Sequence, residues 1–258
     1  CRLQVNTEDA NTLGSIPHED RAMKDILIVG GTSGMGRAIA ERLLADGGHS
    51  VTVTGRSQER LDRVMRDIGN PALRTRILEL SDEVGIPSAL ADVTELDHLV
   101  LAGSGDAAWG AFATLEPAAV GRAFEVKALG YLRVIQAVLP QLAETASITV
   151  LGGAAGRKAM PGTAGVAMVN GALQSLVRTL AIELAPRRVN LVSPGLVDTP
   201  AYSGMPEEQR RAMFASAAQA LPVRRIGRPA DIADVVATVI AAPFMTGSIV
   251  DVDGGASL

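Results

Sequence analysis

The stretch DILIVGGTSGMGRAIA, residues 25–40, decides the fold. It opens with a short apolar run, which predicts a strand buried on both faces of a parallel sheet. It closes with apolar residues at helical spacing, and Gly30, Gly34 and Gly36 lie between the two parts. Glycines at such a junction permit a tight turn and let a helix N-terminus bind an anion such as a phosphate. The alternative is an ordinary strand-to-helix turn.

Strands and helices alternate from this stretch to the end of the chain. Further strand-like runs lie at 50–56, 74–80, 96–105, 146–156, 188–195 and 247–255, and helical patterns at 57–69, 87–93, 117–143, 164–185 and 229–242. Such alternation predicts parallel βαβ units with right-handed crossovers. We therefore predict an α/β fold for residues 23–258: a single Rossmann-type, doubly wound parallel sheet of about seven strands, with helices on both faces.

Composition argues against several classes of function. The net charge of −4 and the scattered arginines argue against nucleic-acid binding. No uncharged apolar run reaches the ~18–20 residues of a membrane span. The single cysteine, Cys1, rules out an internal disulfide and favours a cytoplasmic location. We expect no metal site, because cysteine ligands are lacking and the three histidines show no ligand spacing.

Residues 1–22 differ from the rest of the chain. They are polar, follow neither the helical nor the strand period, and precede MKDILIVGG, which begins like a natural start. They also lack the apolar centre of a signal peptide. We predict a poorly ordered N-terminal extension or an expression remnant.

The end of the second strand indicates the nucleotide cofactor. A free ribose 2′-hydroxyl usually meets an acidic residue there, whereas this chain has Gly55, Arg56 and Ser57. A guanidinium and a hydroxyl suit a 2′-phosphate, so NADP(H) is favoured over NAD(H). Arg37 could join the same pocket. The alternative is that both arginines are solvated surface residues.

These motifs resemble those of the short-chain dehydrogenase/reductase superfamily, from about Lys24 to Leu258. GGTSGMGRAIA (30–40) is similar to its glycine loop, ELSDE (79–83) to its adenine-side segment, and RVNLVSPGLVDTP (188–200) to its sixth strand and following loop. LVLAGSG (99–105) resembles the stretch after its fourth strand but lacks both asparagines. The resemblance implies cofactor contacts at Gly30, Thr32, Ser33, Gly34, Met35, Gly36, Arg56, Ser57, Glu79, Leu80, Ala102, Gly103, Pro194, Gly195, Val197 and Thr199.

The usual catalytic residues of that family are absent. Its Ser, Tyr and Lys positions fall at Gly153 (or Gly152), Val166 and Asn170. No shift of alignment restores the tyrosine, because neither of the two tyrosines, Tyr131 and Tyr202, lies in the helix at 164–185.

Lys127 is the leading candidate to take over the catalytic role of these absent residues. It falls at the family's helix-kinking Asn, where low polarity could lower the pKa of its amine. It is also one of only three lysines. Tyr131, one helical turn later, could join it, and Asn170 could still hydrogen-bond a ribose. We therefore name Lys127, Asn170 and Tyr131 as candidate catalytic residues.

Two alternatives to this assignment stay open. Lys127 and Tyr131 could cover an oligomer interface with solvated heads. Arg157 and Lys158, in the loop after the fifth strand, could supply the charge instead.

The segment 201–221, rich in Met and Ala, is typical of a mobile substrate lid, with Met213 and Phe214 as apolar surface. Phe112 could form the opposite wall with Trp109. The candidate substrate-contacting residues are Trp109, Gly153, Val166, Tyr202 and Met205.

Two classes of function follow from these observations. The first is an NADP(H)-dependent oxidoreductase with an atypical site, reducing a C=N or iminium group or an activated carbonyl of a small molecule. The second is a non-redox protein on the same scaffold: a nucleotide-binding regulator, a lyase or a cyclase. The apolar circumference of helices 117–143 and 164–185 predicts a homodimer or homotetramer.

Overall fold

Seven parallel strands form one sheet in the computed structural model, which describes residues 23–104 and 108–258. They span Lys24–Val29 (β1), His49–Gly55 (β2), Leu73–Ile77 (β3), Leu96–Leu101 (β4), Leu142–Leu151 (β5), Arg188–Pro194 (β6) and Ile249–Val252 (β7). Their order, β3-β2-β1-β4-β5-β6-β7, confirms the predicted doubly wound sheet. The N-terminal extension predicted at 1–22 lies outside the described residues.

Helices cover both faces of this sheet. They span Gly34–Ala45 (α1), Gln58–Ile68 (α2), Gly85–Leu90 (α3), Pro117–Ala123 (α4), Gly130–Val138 (α5), Ala164–Glu183 (α6), Glu207–Ala220 (α7) and Pro229–Ala241 (α8). Alternate residues of β1 belong to different cores: Ile26 and Ile28 pack with α1, α2 and α8, and Leu27 and Val29 with α3, α5 and α6. This burial on both faces explains the nearly continuous apolar strand sequences.

The predicted helix at 117–143 is wrong in its middle and at its end. A π-helical segment, Phe124–Leu129, interrupts it between α4 and α5. Pro140 follows the end of α5, where a proline disfavours further α-helix, and β5 already begins at Leu142, which pairs with Leu96 of β4.

α6 is the one helix in the described part of the chain that has the length and hydropathy of a membrane span. Core helices of soluble proteins pass the same test. In this fold Leu173 and Val177 of α6 are fully buried in the core beside Leu191 of β6.

Candidate functional site

A cleft of about 270 Å³ opens at the carboxyl edge of the sheet. Twelve of the predicted cofactor residues line it: Gly30, Thr32, Ser33, Gly34, Met35, Gly36, Arg56, Glu79, Leu80, Ala102, Gly103 and Thr199. The sequence reasoning missed eight others: Val29, Thr54, Gly55, Leu78, Ser104, Val126, Pro200 and Ala201. Most of the missed residues adjoin predicted ones, so adjacency to a motif is the signal that could have identified them.

The turn after β1 forms one wall of the cleft. Gly30 has φ +86°, and a Cβ there would lie 2.4 Å from the Cα of Gly103, so the position requires glycine. Thr54 of β2 holds the turn: its Oγ1 accepts from the N–H of Gly30 at 3.3 Å, and its carbonyl accepts from the N–H of Gly31 at 3.0 Å.

The N-terminus of α1 borders the same cleft. Ser33 is the N-cap residue, but its side chain makes no capping hydrogen bond, and the first turn carries no acidic residue. The first N–H groups of a helix need a partner outside the helix, and an anion is a favourable one. The residues present therefore fit the pyrophosphate of a dinucleotide.

Arg56 and Glu79, which follow β2 and β3, also line the cleft. The Arg56 side chain is 66% exposed, and its Nε lies 3.7 Å from Oε2 of Glu79. The N–H and hydroxyl of Ser81 donate to Oε1 of Glu79 at 3.2 and 3.1 Å. The carboxylate is thus anchored beside Arg56, the one arginine among the described residues that line the cleft.

Ser57 and Arg37, which were expected to bind the 2′-phosphate with Arg56, lie outside the cleft lining. Ser57 begins α2 as its N-cap, and its Oγ accepts from the N–H of Arg60 at 3.4 Å, because a helix start needs an acceptor there. Arg37 pairs with Glu41 at 2.8 Å and with Asp67 at 2.9 Å, outside the cleft lining.

The loop after β6 contributes less to the cleft than the resemblance implied. Pro194, Gly195 and Val197 do not line it. Val197 is buried in a bridge to Gly227, and Gly195 packs so closely on Asp253 that a Cβ would lie 2.7 Å from the Asp253 Cα. Of the four predicted residues in this loop, Thr199 alone lines the cleft.

Lys127 lies in the π-helical segment, directly after Val126 of the cleft lining. Its Nζ donates to the carbonyl of Gly152 and to Oδ1 of Asn170, both at 2.9 Å. Asn170 is 3% exposed, and burial lowers the pKa of Lys127 to about 8. The fold therefore brings together two of the three candidate catalytic residues.

Tyr131, the third, has a different place. Its side chain is fully buried and its hydroxyl donates to the carbonyl of Gly103, while burial raises its pKa. The expectation was that it shares a face with Lys127, but the Tyr131 hydroxyl reaches Gly103 after β4, whereas the Lys127 amine reaches Gly152 after β5. Tyr131 supports the Gly103 wall of the cleft.

The candidate substrate residues lie in four separate segments, and one of them, Gly153, follows β5 and lies against Asn170. Trp109 is 53% exposed, in a loop joined to a second loop by a hydrogen bond of 3.0 Å from Gly110 N to Gly162 O. Val166 is partly buried in the first turn of α6. Tyr202 packs edge-to-face on Phe214 of α7 at 5.5 Å between ring centroids, and its carbonyl accepts from the N–H of Met205.

Comparisons with known proteins show which family this sequence belongs to. Residues 29–257 match the family described as enoyl-(acyl carrier protein) reductase. The chain is 32% identical to the short-chain dehydrogenase/reductase ATR9 of Stachybotrys chlorohalonatus, over 91% of this chain and 97% of that protein.

Two solved structures extend the match. A small-chain dehydrogenase in complex with NADPH has a TM-score of 0.79 at 31% identity, covering 91% of this chain and 99% of that one. A variant of actinorhodin polyketide ketoreductase with NADPH has a TM-score of 0.81 at 26% identity, covering 91% and 97%.

The sheet order and the glycine-walled cleft define a nucleotide-binding Rossmann-type protein. Within that class, the chain belongs to the short-chain dehydrogenase/reductase superfamily of oxidoreductases. This family binds a nucleotide cofactor and acts on small molecules. α6, where the family resemblance implies a catalytic tyrosine, contains none.

Proposed function

We propose that this protein is an NADP(H)-dependent reductase of an activated carbonyl compound, in which the ammonium of Lys127 stabilises the substrate oxygen. The observation that carries the proposal is the placement of Nζ, 2.9 Å from each of two acceptors and one residue from the cleft lining. When bound, the nicotinamide supplies the hydride. The chain must then stabilise the negative charge that develops on oxygen.

The hydrogen bonds of Lys127 leave one of its N–H groups available for a substrate. A protonated amine has three N–H donors, and the carbonyl of Gly152 and the amide of Asn170 accept two. The third remains for a substrate oxygen. With a pKa of about 8, the amine is mostly protonated at pH 7 and can also deliver a proton.

The charge of Lys127 favours a carbonyl over an iminium substrate. Two unit charges about 4 Å apart interact by about 4 kcal/mol at an effective dielectric constant near 20. The ammonium would repel a cationic C=N group by such an amount and would attract a developing oxyanion. An iminium substrate is therefore the less favoured alternative for this site.

Arg56 is the proposed determinant of cofactor choice. It lines the cleft at the end of β2, where the 2′-substituent of the adenosine ribose lies in folds of this class. A guanidinium binds a phosphate through charge-assisted hydrogen bonds. We propose NADP(H) over NAD(H) on this basis.

Trp109, Gly153, Val166, Tyr202 and Met205 are proposed to surround the substrate. The ring contact between Tyr202 and Phe214 joins the segment after β6 to α7. These elements could therefore move together as a lid over the cleft.

The test has two stages. In the first stage, NADPH and NADH are each titrated with the protein while nicotinamide fluorescence is followed. In the second stage, oxidation of NADPH is measured with uncharged aldehydes and ketones and with cyclic iminium salts. We expect tighter binding of NADPH and turnover of carbonyls. Turnover of iminium salts alone would contradict a carbonyl substrate and support an iminium substrate. Cofactor binding without any oxidation of NADPH would favour the non-redox class.

We also propose a homodimer or homotetramer in the cytoplasm. Leu129, Met168 and Ile182, on the π-helical segment and α6, are 40%, 58% and 80% exposed, a pattern that a second copy would cover. The single cysteine suits a reducing compartment. A mass near the 26.7 kDa of one chain in light scattering at micromolar concentration would contradict the oligomer.

A further inference from the structure

Three separate elements meet at the amine of Lys127. The lysine lies in the π-helical segment, Gly152 follows β5, and Asn170 is in α6. The two acceptors are 25 and 43 residues away in the chain. Glu125, the acidic residue of the same segment, pairs with Arg133. In the described part of the chain, the groups that hold the ammonium are a carbonyl and an amide, and no carboxylate contacts it.

Asn170 is enclosed between two glycines. A Cβ at Gly153 would lie 2.8 Å from Nδ2 of Asn170, and a Cβ at Gly156 would lie 2.8 Å from its Cβ. Both distances are shorter than real Cβ atoms allow. Any side chain at position 153 would therefore push the amide away from its present place.

The orientation of the amide follows from the same contacts. Its oxygen accepts from Nζ of Lys127, so its nitrogen faces Gly153. An amide has one acceptor end and one donor end. Moving the nitrogen away from Gly153 would move the oxygen relative to the lysine as well.

We infer that Asn170 and Gly153 form a positioning pair for Lys127: the amide fixes the ammonium, and the bare Cα at 153 provides the space for that amide. The inference deepens the proposed function, on which it rests for its catalytic meaning. Asn170 is then a positioning residue, and Gly153 is a steric determinant of the same site. A serine at position 153, which the family resemblance implies there, would displace the amide of Asn170 and thereby disturb the amine of Lys127.

The test reads the amine directly in the full-length protein. The chain has three lysines, Lys24, Lys127 and Lys158, so lysine labelled with carbon-13 at Cε gives a spectrum that single substitutions can assign. The signal lost in Lys127→Met is the one to follow. In the unsubstituted protein we expect it to titrate with a pKa of about 8.

Two substitutions should move this titration in opposite directions. Asn170→Asp places a carboxylate against the ammonium and should raise the pKa of Lys127 by about 1–3 units. Gly153→Ala should lower it, because the charged form loses an acceptor. Gly171→Ala is the matched control: it adds the same methyl group one residue after Asn170, where no atom lies within 4 Å, and should leave the titration unchanged.

An unchanged Lys127 titration in Asn170→Asp, or an equal shift in Gly171→Ala and Gly153→Ala, would overturn the inference. If Gly153→Ala fails to fold, the result for Asn170→Asp decides. The titration needs neither cofactor nor substrate. Failure of NADPH oxidation would therefore refute the proposed function while the outcome for the positioning pair stands separately.

Discussion

The two ends of the site are built in different ways. The nucleotide region, defined here as the glycine turn 30–36 with Arg56 and Glu79, is a set of short motifs at successive strand ends. The ammonium region, defined as Lys127, Gly152, Gly153 and Asn170, depends on hydrogen bonds across 25 and 43 residues. The first matches the glycine-loop pattern of the superfamily, and the second includes two positions, 153 and 170, where the family resemblance implies Ser and Lys.

This difference shows that the two regions can change separately. A glycine turn and a helix N-terminus bind phosphate through the backbone, so that function persists as long as the local backbone does. The ammonium of Lys127 is held by one backbone carbonyl and one amide side chain, so it depends on the packing of the elements that carry them. Substitutions and pH changes that act on one region should therefore leave the other unaffected.

The largest effect is expected from Lys127→Met, which changes the ammonium region alone. Single-turnover reduction at saturating NADPH should slow by about 10²–10³-fold, the usual loss when one electrostatic partner of the transition state is removed. NADPH affinity should stay within about tenfold. A lower melting temperature with an unchanged rate per folded molecule would instead make Lys127 a structural residue.

Arg56→Ala is the converse change, confined to the nucleotide region. A charge-assisted contact to the 2′-phosphate contributes about 1.5–3 kcal/mol, so the preference for NADPH over NADH should fall about ten- to a hundredfold. The measurement is a fluorescence titration with both cofactors. Equal affinities before the substitution, or an unaltered preference after it, would contradict the assignment.

The pH profile should separate the regions without any substitution. In the proposed function Lys127 acts in its protonated form, so the rate of carbonyl reduction should fall about tenfold per unit as pH rises above its pKa of about 8. NADPH affinity should not follow that profile. Lys158→Met is the control, and loss of the descending limb in that variant would assign the proton to the loop after β5.

The smallest effect is expected from Glu79→Gln, which sharpens the description of the nucleotide region. The carboxylate lies 3.7 Å from the Arg56 guanidinium and would oppose a phosphate there. Its removal should strengthen NADPH binding about two- to fivefold and leave NADH binding unchanged, as for an exposed charge pair. Glu41→Gln, which removes one of the two acidic partners of Arg37 outside the cleft, should change neither affinity.

The sequence predicts the fold well because its signals are local. Buried parallel strands are continuous apolar runs, and the turn at Gly30 needs glycine for reasons confined to β1 and its neighbours. The same reasoning fails where a helix departs from the α-helical period. The π-helical segment 124–129 interrupts the helix predicted at 117–143, and the hydrogen bond from Tyr131 to Gly103 depends on how that helix packs against the loop after β4.

The polar partners in the site were harder to predict, for a related reason. Ser57 and Arg37 have suitable chemistry for a phosphate. However, the hydroxyl of Ser57 caps the start of α2, and the guanidinium of Arg37 pairs with Asp67, 30 residues away. The hydrogen bond between Lys127 and Asn170 requires two elements to be packed correctly. The amino-acid type suggests such contacts, and the tertiary structure decides them.

Trp109 gives the molecule an optical property of its own. It is the single tryptophan of the chain, about half-exposed in the loop bonded to Gly162. Ser104 lines the cleft five residues before Trp109, so the Cα atoms of the two residues are at most about 18 Å apart, and a reduced nicotinamide bound in the cleft would lie near the indole. The protein thus carries one built-in fluorescence donor, whose emission would report both the redox state of a bound cofactor and movement of the loop.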